Sequence, residues 1–156
     1  MNNSGPKILG RTGGLTMPIT DLLERNSKLY GDMTALVEIN PELREPRRVT
    51  WREYELIQPG GPAPYRREIT WSVFDEKSNR AANLLLGRGI RKGQKVALLM
   101  MNNLEWLPIY FGILKTGAIA VPLNFRYTAD EIRYCLGLSD ADVLFFGPEF
   151  IGRVEE

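Results

Sequence analysis

ITWSVFDEKSNRAANLLLGRGIRKGQKVALLMMNNLEWLPIYFGILKTGAIAVPLNFRYTADEIRYCLGLSDADVLFF, residues 69–146, alternates helix-period with strand-period segments, and that alternation decides the fold. Thr70 is placed to accept a backbone N–H at a helix start. Trp71, Phe74, Ser78, Ala81, Ala82 and Leu85 then form one apolar stripe at helical spacing, and Gly87 and Gly89 bracket its end. Lys95–Met101 runs apolar after its first residue without alternating, as a strand covered on both faces does. Asn102 and Glu105 stand at capping-box spacing, and Pro108 falls early enough in the following helix to be tolerated. That helix turns Trp106, Ile109, Tyr110, Ile113 and Leu114 inward and ends at Gly117. Ala118–Val121 is the next strand, so strand, helix and strand make a right-handed parallel crossover. Pro122 stops it, and residues 123–127 form a loop. Thr128 and Glu131 repeat the capping-box spacing and open a helix through Ile132, Cys135 and Leu136 to near Leu138. Asp142–Phe146 supplies a third parallel strand, ended by Gly147-Pro148.

Outward from this stretch, Ile19, Leu22, Leu23 and Leu29 predict a helix over 19–30, with Gly31 as a left-handed cap. Thr34–Ile39 reads as a strand that Asn40-Pro41 ends. Arg47-Arg48-Val49-Thr50-Trp51 is echoed by Arg67-Glu68-Ile69-Thr70-Trp71, with Pro59-Gly60-Gly61-Pro62-Ala63-Pro64 between them. This pattern predicts an antiparallel hairpin of strands 49–57 and 65–70 rather than a duplicated functional motif, because the copies share strand formers and no reactive group. Residues 1–17, rich in Gly and polar side chains, read as a flexible leader. The chain stops at Glu156 inside what reads as a new helix after Pro148, which predicts that residues 18–156 are the N-terminal portion of a larger domain. The fold class is therefore α/β: a partial doubly wound parallel sheet with helical crossovers, preceded by an antiparallel hairpin.

Composition narrows the chemistry. With 44% hydrophobic and 25% charged residues, a chain of 156 residues is an ordinary globular domain. Twenty basic against 19 acidic residues, a formal charge of +1, gives no electrostatic reason to expect nucleic acid or an anionic membrane as partner. Short basic runs such as Arg47-Arg48 and Arg66-Arg67 read as solvated strand ends. Histidine is absent, which excludes imidazole catalysis, His-containing metal sites and Ser-His or Cys-His nucleophiles within these residues. The single cysteine, Cys135, forms no internal disulfide, suits a reducing cytoplasm and reads as a small apolar filler. No apolar run approaches the roughly 20 residues of a membrane span, and the N-terminus lacks the apolar core of a secretory signal.

Four places could carry function. Gly87-Arg88-Gly89 opens like a dinucleotide fingerprint, but it closes a helix, whereas that motif follows a strand and opens one. Gly10-Arg11-Thr12-Gly13-Gly14 is glycine-rich enough to cradle phosphate, yet it follows no strand and precedes no helix start. Asn102 and Asn103 fall at the C-terminal end of a parallel strand, the edge where open α/β sheets bind ligands, and either contact a ligand or cap the next helix. Arg126, in the loop after the next strand, pairs with Asp130 or with further parts of the protein.

The order Ile69-Thr70-Trp71, Asp75, Ser78-Asn79-Arg80-Ala81-Ala82, Gly89-Ile90, Lys92-Gly93-Gln94-Lys95-Val96-Ala97, Asn102-Asn103 and Glu105 resembles the N-terminal part of the AMP-forming acyl-CoA synthetases. Gly112, Lys115-Thr116-Gly117-Ala118, Val121-Pro122-Leu123-Asn124 and Thr128-Ala129-Asp130-Glu131-Ile132 continue the resemblance, which covers about half of the chain. The thirty or so residues between the Ala35-Leu36 strand and Thr70 depart from the family's shorter connection, and point to a subgroup acting on medium-chain or ring-containing acids. The resemblance implies a parent that adenylates a carboxylic acid with ATP and Mg and passes it to CoA or another thiol. It also implies that the Gly/Ser/Thr-rich loop ending in Pro-Lys-Gly, which holds the ATP phosphates, lies beyond residue 156. On that expectation this segment contains no catalytic, cofactor-binding or metal-binding residue. It is inactive alone, has the rest of the parent chain as its partner and self-associates through uncovered apolar surface when isolated. The alternative is a non-catalytic binding or assembly module that keeps the ligase half-fold.

Overall fold

The computed structural model describes residues 17–40, 56–57 and 64–156. In chain order these form α1 (Ile19–Tyr30), β1 (Thr34–Ile39), β2 (Arg66–Thr70), α2 (Trp71–Gly87), β3 (Lys95–Leu99), α3 (Trp106–Lys115), β4 (Ile119–Pro122), α4 (Ala129–Ser139) and β5 (Val143–Phe146). A short 3₁₀ turn, Pro148–Phe150, then leads into α5 (Ile151–Glu155).

The parallel sheet has the order β4-β3-β5, with β3 pairing both neighbours in parallel. Val96, Ala97, Leu98 and Leu99 of β3 are fully buried, which is why that segment is apolar without alternation. Its side chains still divide by face with period two. Val96 joins Val143, Phe145 and Ala120 against Leu85 and Ile90, at the end of α2, and Ile113 of α3. Leu99 and Leu144 face Ile132 and Leu136 of α4 together with Phe150 and Val154 at the C-terminus. Helices thus cover both faces, with α2 and α3 on one and α4 and α5 on the other. The connection β3–α3–β4 runs to one side of β3, and β4–α4–β5 returns past it to the other.

The α2–α3 contact is close because α3 carries glycine where the helices meet. A Cβ at Gly112 would lie 2.6 Å from the Ala81 Cβ and 2.9 Å from the Ser78 carbonyl oxygen. Ser78 is fully buried and returns its hydroxyl to the Phe74 carbonyl at 2.9 Å, so it adds no unsatisfied group to the interface. At the rim, Lys115 Nζ lies 2.5 Å from Asp75 Oδ1 and 2.6 Å from Asn79 Oδ1, tying the end of α3 to α2. The start of α2 is capped as its sequence implies, with the Thr70 hydroxyl accepting from the Val73 N–H. At α4 both halves of the Thr128–Glu131 capping box are present.

Several expectations require correction. The return strand of the expected hairpin forms, but its partner is β1: Glu38 sits opposite Arg67 and Ile39 opposite Arg66, antiparallel. This register sets an acid against a base, with Arg67 Nη2 2.6 Å from Glu38 Oε2. Of the expected first strand, only Leu56 and Ile57 are described, and they are not in a strand; residues 49–55 lie outside the described residues, as do the first copy of the echo, the leader through residue 16 and Gly10–Gly14. Gly31 has a helical backbone, φ −43°, rather than a left-handed one. Its missing Cβ instead makes room for the Ser72 hydroxyl, which would be 2.6 Å from it. β3 ends at Leu99, two residues early, because the chain then bends into the β3–α3 loop.

Candidate functional site

The C-terminal edge of the parallel sheet gathers three loops: the one after β3, the one after β4, and the turn after β5. The first two are fixed by side chains that come from other parts of the chain.

In the β3–α3 loop, the Met101 N–H donates to Glu149 Oε1 at 3.2 Å and the Leu104 N–H to Glu38 Oε2 at 2.8 Å. Asn103 Oδ1 accepts from the N–H groups of Glu105 and Trp106, at 3.1 and 3.0 Å. The helix start is therefore capped by Asn103, not by the expected Asn102–Glu105 box; α3 begins one turn later than that box requires, at Trp106. Glu105 turns to α2, where Lys77 Nζ lies 3.1 Å from its Oε1, while its Oε2 is buried without a hydrogen-bond partner. Glu38 also holds Arg67, whose pKa is raised above its already high ordinary value chiefly by that hydrogen bond.

The loop after β4 is fixed from α5. Arg153, 9% exposed, donates through Nη1 to the carbonyls of Phe125 and Tyr127 at 2.9 and 2.8 Å. Asn124 Oδ1 accepts from the Arg126 N–H at 3.0 Å, and the Arg126 guanidinium lies 5.3 Å from the Phe125 ring centroid. Asp130, the partner considered for Arg126, is held by Arg133 at 2.6 Å.

Asn102 is exposed and lines an open groove of about 360 Å³ with Val37, Glu38, Ile39, Asn103, Trp106 and Leu107. One Asn thus caps the helix and the other faces the groove. Gly87-Arg88-Gly89 ends α2, and the Arg88 N–H closes the helix on the Leu84 and Leu85 carbonyls, so this glycine pair is a helix stop.

A phosphate cradle needs several backbone N–H groups free to point at the anion. In the β3–α3 loop, four of them, on Met101, Leu104, Glu105 and Trp106, are engaged by the chain's own oxygens, two of these on carboxylates. Among the described residues no group of three His, Cys, Asp or Glu is placed to hold a metal ion. Glu149 and Arg153 escaped the sequence reading because a buried charge leaves no periodic signal, and Glu38 because its partners lie far along the chain; Pro148-Glu149 reads only as an acidic first turn of a helix.

The family model for AMP-binding enzymes matches residues 23–155. The chain belongs to the AMP-binding enzyme family. It is similar to the long-chain-fatty-acid–CoA ligase FadD13 of Mycobacterium tuberculosis, 34% identical over 105 residues that cover 67% of this chain and 20% of that protein. It is also similar to a medium/long-chain-fatty-acid–CoA/3-oxocholest-4-en-26-oate–CoA ligase of Mycobacterium marinum, 37% identical over 87 residues, 56% of this chain and 16% of that one. The inhibitor-bound crystal structure of the N-terminal domain of FACL13 from Mycobacterium tuberculosis superposes on 87% of this chain and 28% of its own, at a TM-score of 0.66 and 25% identity. This member of the AMP-binding family thus spans about a fifth of the length of the curated relatives it matches. Among its described residues no helix is long and apolar enough to cross a membrane.

Proposed function

We propose that these residues are the N-terminal scaffold of an ATP-dependent acid:CoA ligase acting in the cytoplasm, and that the reacting groups lie outside them. In the parent, a carboxylate oxygen attacks the α-phosphorus of ATP, pyrophosphate leaves, and the acyl-adenylate then passes its acyl group to the CoA thiol with release of AMP. The observation that carries this reading is the family match across residues 23–155 in a chain about a fifth as long as its relatives. The engaged N–H groups of the β3–α3 loop support the further step that neither ATP, Mg nor CoA is held by this segment alone. Residues 18–156 then form the opening α/β portion of the ligase domain, with residues 1–17 as its leader. The insertion between β1 and β2 favours medium-chain or ring-containing acids.

Exposed apolar side chains on α4, Tyr134 at 68% and Leu138 at 73%, support a partner that covers this face, namely the rest of the parent chain. The isolated segment accordingly self-associates in sedimentation. The decisive experiment expresses the reading frame continued past the codon for Glu156 and measures AMP and acyl-CoA formation from ATP, CoA and a panel of fatty acids. Acid-dependent formation of both supports the ligase. A reading frame that stops at Glu156 and yields a monodisperse, inactive monomer supports a binding module and overturns the proposal.

A further inference from the structure

We propose, resting on the ligase reading, that the free edge of β1 at Val37 and Ile39 is a strand-addition site, filled by one extended segment from the part of the parent chain that follows Glu156.

β1 and β2 make a two-stranded sheet, so one edge of β1 is left over. The register tells which backbone groups stand on it. In an antiparallel pair, opposite residues alternate between those that exchange both hydrogen bonds and those that exchange none. The Asn40 N–H donates to the Tyr65 carbonyl at 2.8 Å, so Glu38 opposite Arg67 and Leu36 opposite Ile69 also point their N–H and C=O groups into the ladder. Val37 and Ile39, opposite Glu68 and Arg66, point theirs away from β2. Among the described residues, no backbone group pairs with them there.

The same edge borders the groove of about 360 Å³ that Val37, Glu38 and Ile39 share with Asn102, Trp106 and Leu107. The Leu104 N–H reaches Glu38 Oε2 at 2.8 Å, which sets the start of α3 on the Glu38 face of the sheet. A strand laid along the edge thus finds backbone donors and acceptors at Val37 and Ile39, and its side chains on the Glu38 face find Trp106 and Leu107. Recognition by a sheet edge works in this way: the main chain supplies affinity and alternate side chains fill the pockets beside it. Nothing blunts the edge. Thr34–Ile39 holds no proline or lysine, its bulge lies before Leu36, and its one charge, Glu38, is bound by Arg67 at 2.6 Å.

Length points to the occupant. The match to the Mycobacterium tuberculosis ligase covers 20% of that protein, so the ligase reading puts most of the parent after Glu156. A further strand from there pairs with Val37 and Ile39 at once, which a small molecule bound in the groove does not.

Amide exchange read residue by residue tests this, on the 156-residue chain and on the protein expressed from the reading frame continued past Glu156. In the shorter chain, Val37 and Ile39 should exchange about tenfold faster than Leu36 and Glu38, whose N–H groups face β2. In the longer protein all four should be slow. Proline is tolerated on an edge strand where the lost N–H faces solvent, so Val37→Pro should leave the urea midpoint of the shorter chain near wild type and lower that of the longer one. If Val37 and Ile39 stay as fast in the longer protein as in the shorter, the edge is not filled by the parent and the proposal is overturned, while acid-dependent acyl-CoA formation by the same protein keeps the ligase reading. Slow exchange of both amides already in the shorter chain, in dilute solution, means that its own residues close the edge and equally overturns it. A reading frame that stops at Glu156 removes both.

Discussion

Gly112→Ala sets two known effects against each other, and the structure decides which wins. In a helix interior, alanine is favoured over glycine by about 1 kcal/mol. At Gly112 the added Cβ would lie 2.6 Å from the Ala81 Cβ, 2.9 Å from the Ser78 carbonyl oxygen and 3.1 Å from the Ala82 nitrogen. Carbon atoms in contact sit roughly 3.5–4.0 Å apart, so α3 must move about 1 Å away from α2. Two of the three obstructing atoms are backbone and do not swing aside. Overpacking of this kind costs about 1–3 kcal/mol, and at the upper part of that range it exceeds the propensity gain. We expect a net loss of about 1–2 kcal/mol, which at a urea m-value of about 1–3 kcal/mol per molar lowers the midpoint by roughly 1 M. Gly137→Ala in α4 is the control, because nothing lies within 4 Å of its added Cβ; it should gain up to about 1 kcal/mol. Equilibrium urea unfolding of both variants makes the comparison. If Gly112→Ala stabilises as Gly137→Ala does, the close α2–α3 contact is not what this glycine serves.

Lys115→Met leaves Asp75 without its partner at a site where both side chains are 15% exposed, and should cost about 2–3 kcal/mol. Asp75→Leu added to it should recover most of that loss, which a double-mutant cycle by urea unfolding measures. Thr128→Ala removes the hydroxyl half of the α4 capping box and should cost about 1 kcal/mol, with Thr128→Ser near wild type in the same assay. Asp142 accepts from the Lys95 N–H at 2.9 Å and from Gln94 Nε2 at 2.7 Å, and these bonds lower its pKa below the ordinary 3.8. Its contribution to stability is thus present above that value and lost as pH falls through the lowered pKa. The urea midpoint of Asp142→Asn should lie below wild type at neutral pH, and the gap should close in acid.

The helices and the parallel strands were legible because each has a local cause. The uninterrupted apolar run of β3, the Thr128–Glu131 capping box and the glycine stops fix elements without reference to anything distant; α1 and β1 begin and end where their residues say. Pairing was less legible. Arg66–Thr70 carries no mark of whether its partner is the segment just before the Pro-Gly stretch or the earlier Thr34–Ile39, and the observed pairing sets Glu38 against Arg67, separated by 29 residues. At the sheet edge, Asn102 and Asn103 could be placed but not told apart, because capping depends on where the helix begins. Glu149 and Arg153 act across the fold on Met101, Phe125 and Tyr127, and nothing in their own neighbourhood announces it. The family resemblance, by contrast, rests on many residues in order, and the match over residues 23–155 extends it well beyond the half of the chain that first suggested it.

The central claim is that this member of the AMP-binding family supplies architecture while the adenylation chemistry lies elsewhere. Pyrophosphate release by the purified 156-residue chain, given ATP, Mg and a panel of carboxylic acids, tests it most directly. The account predicts no acid-dependent release above the protein-free blank. Sustained, acid-dependent release that follows the protein through purification would contradict it.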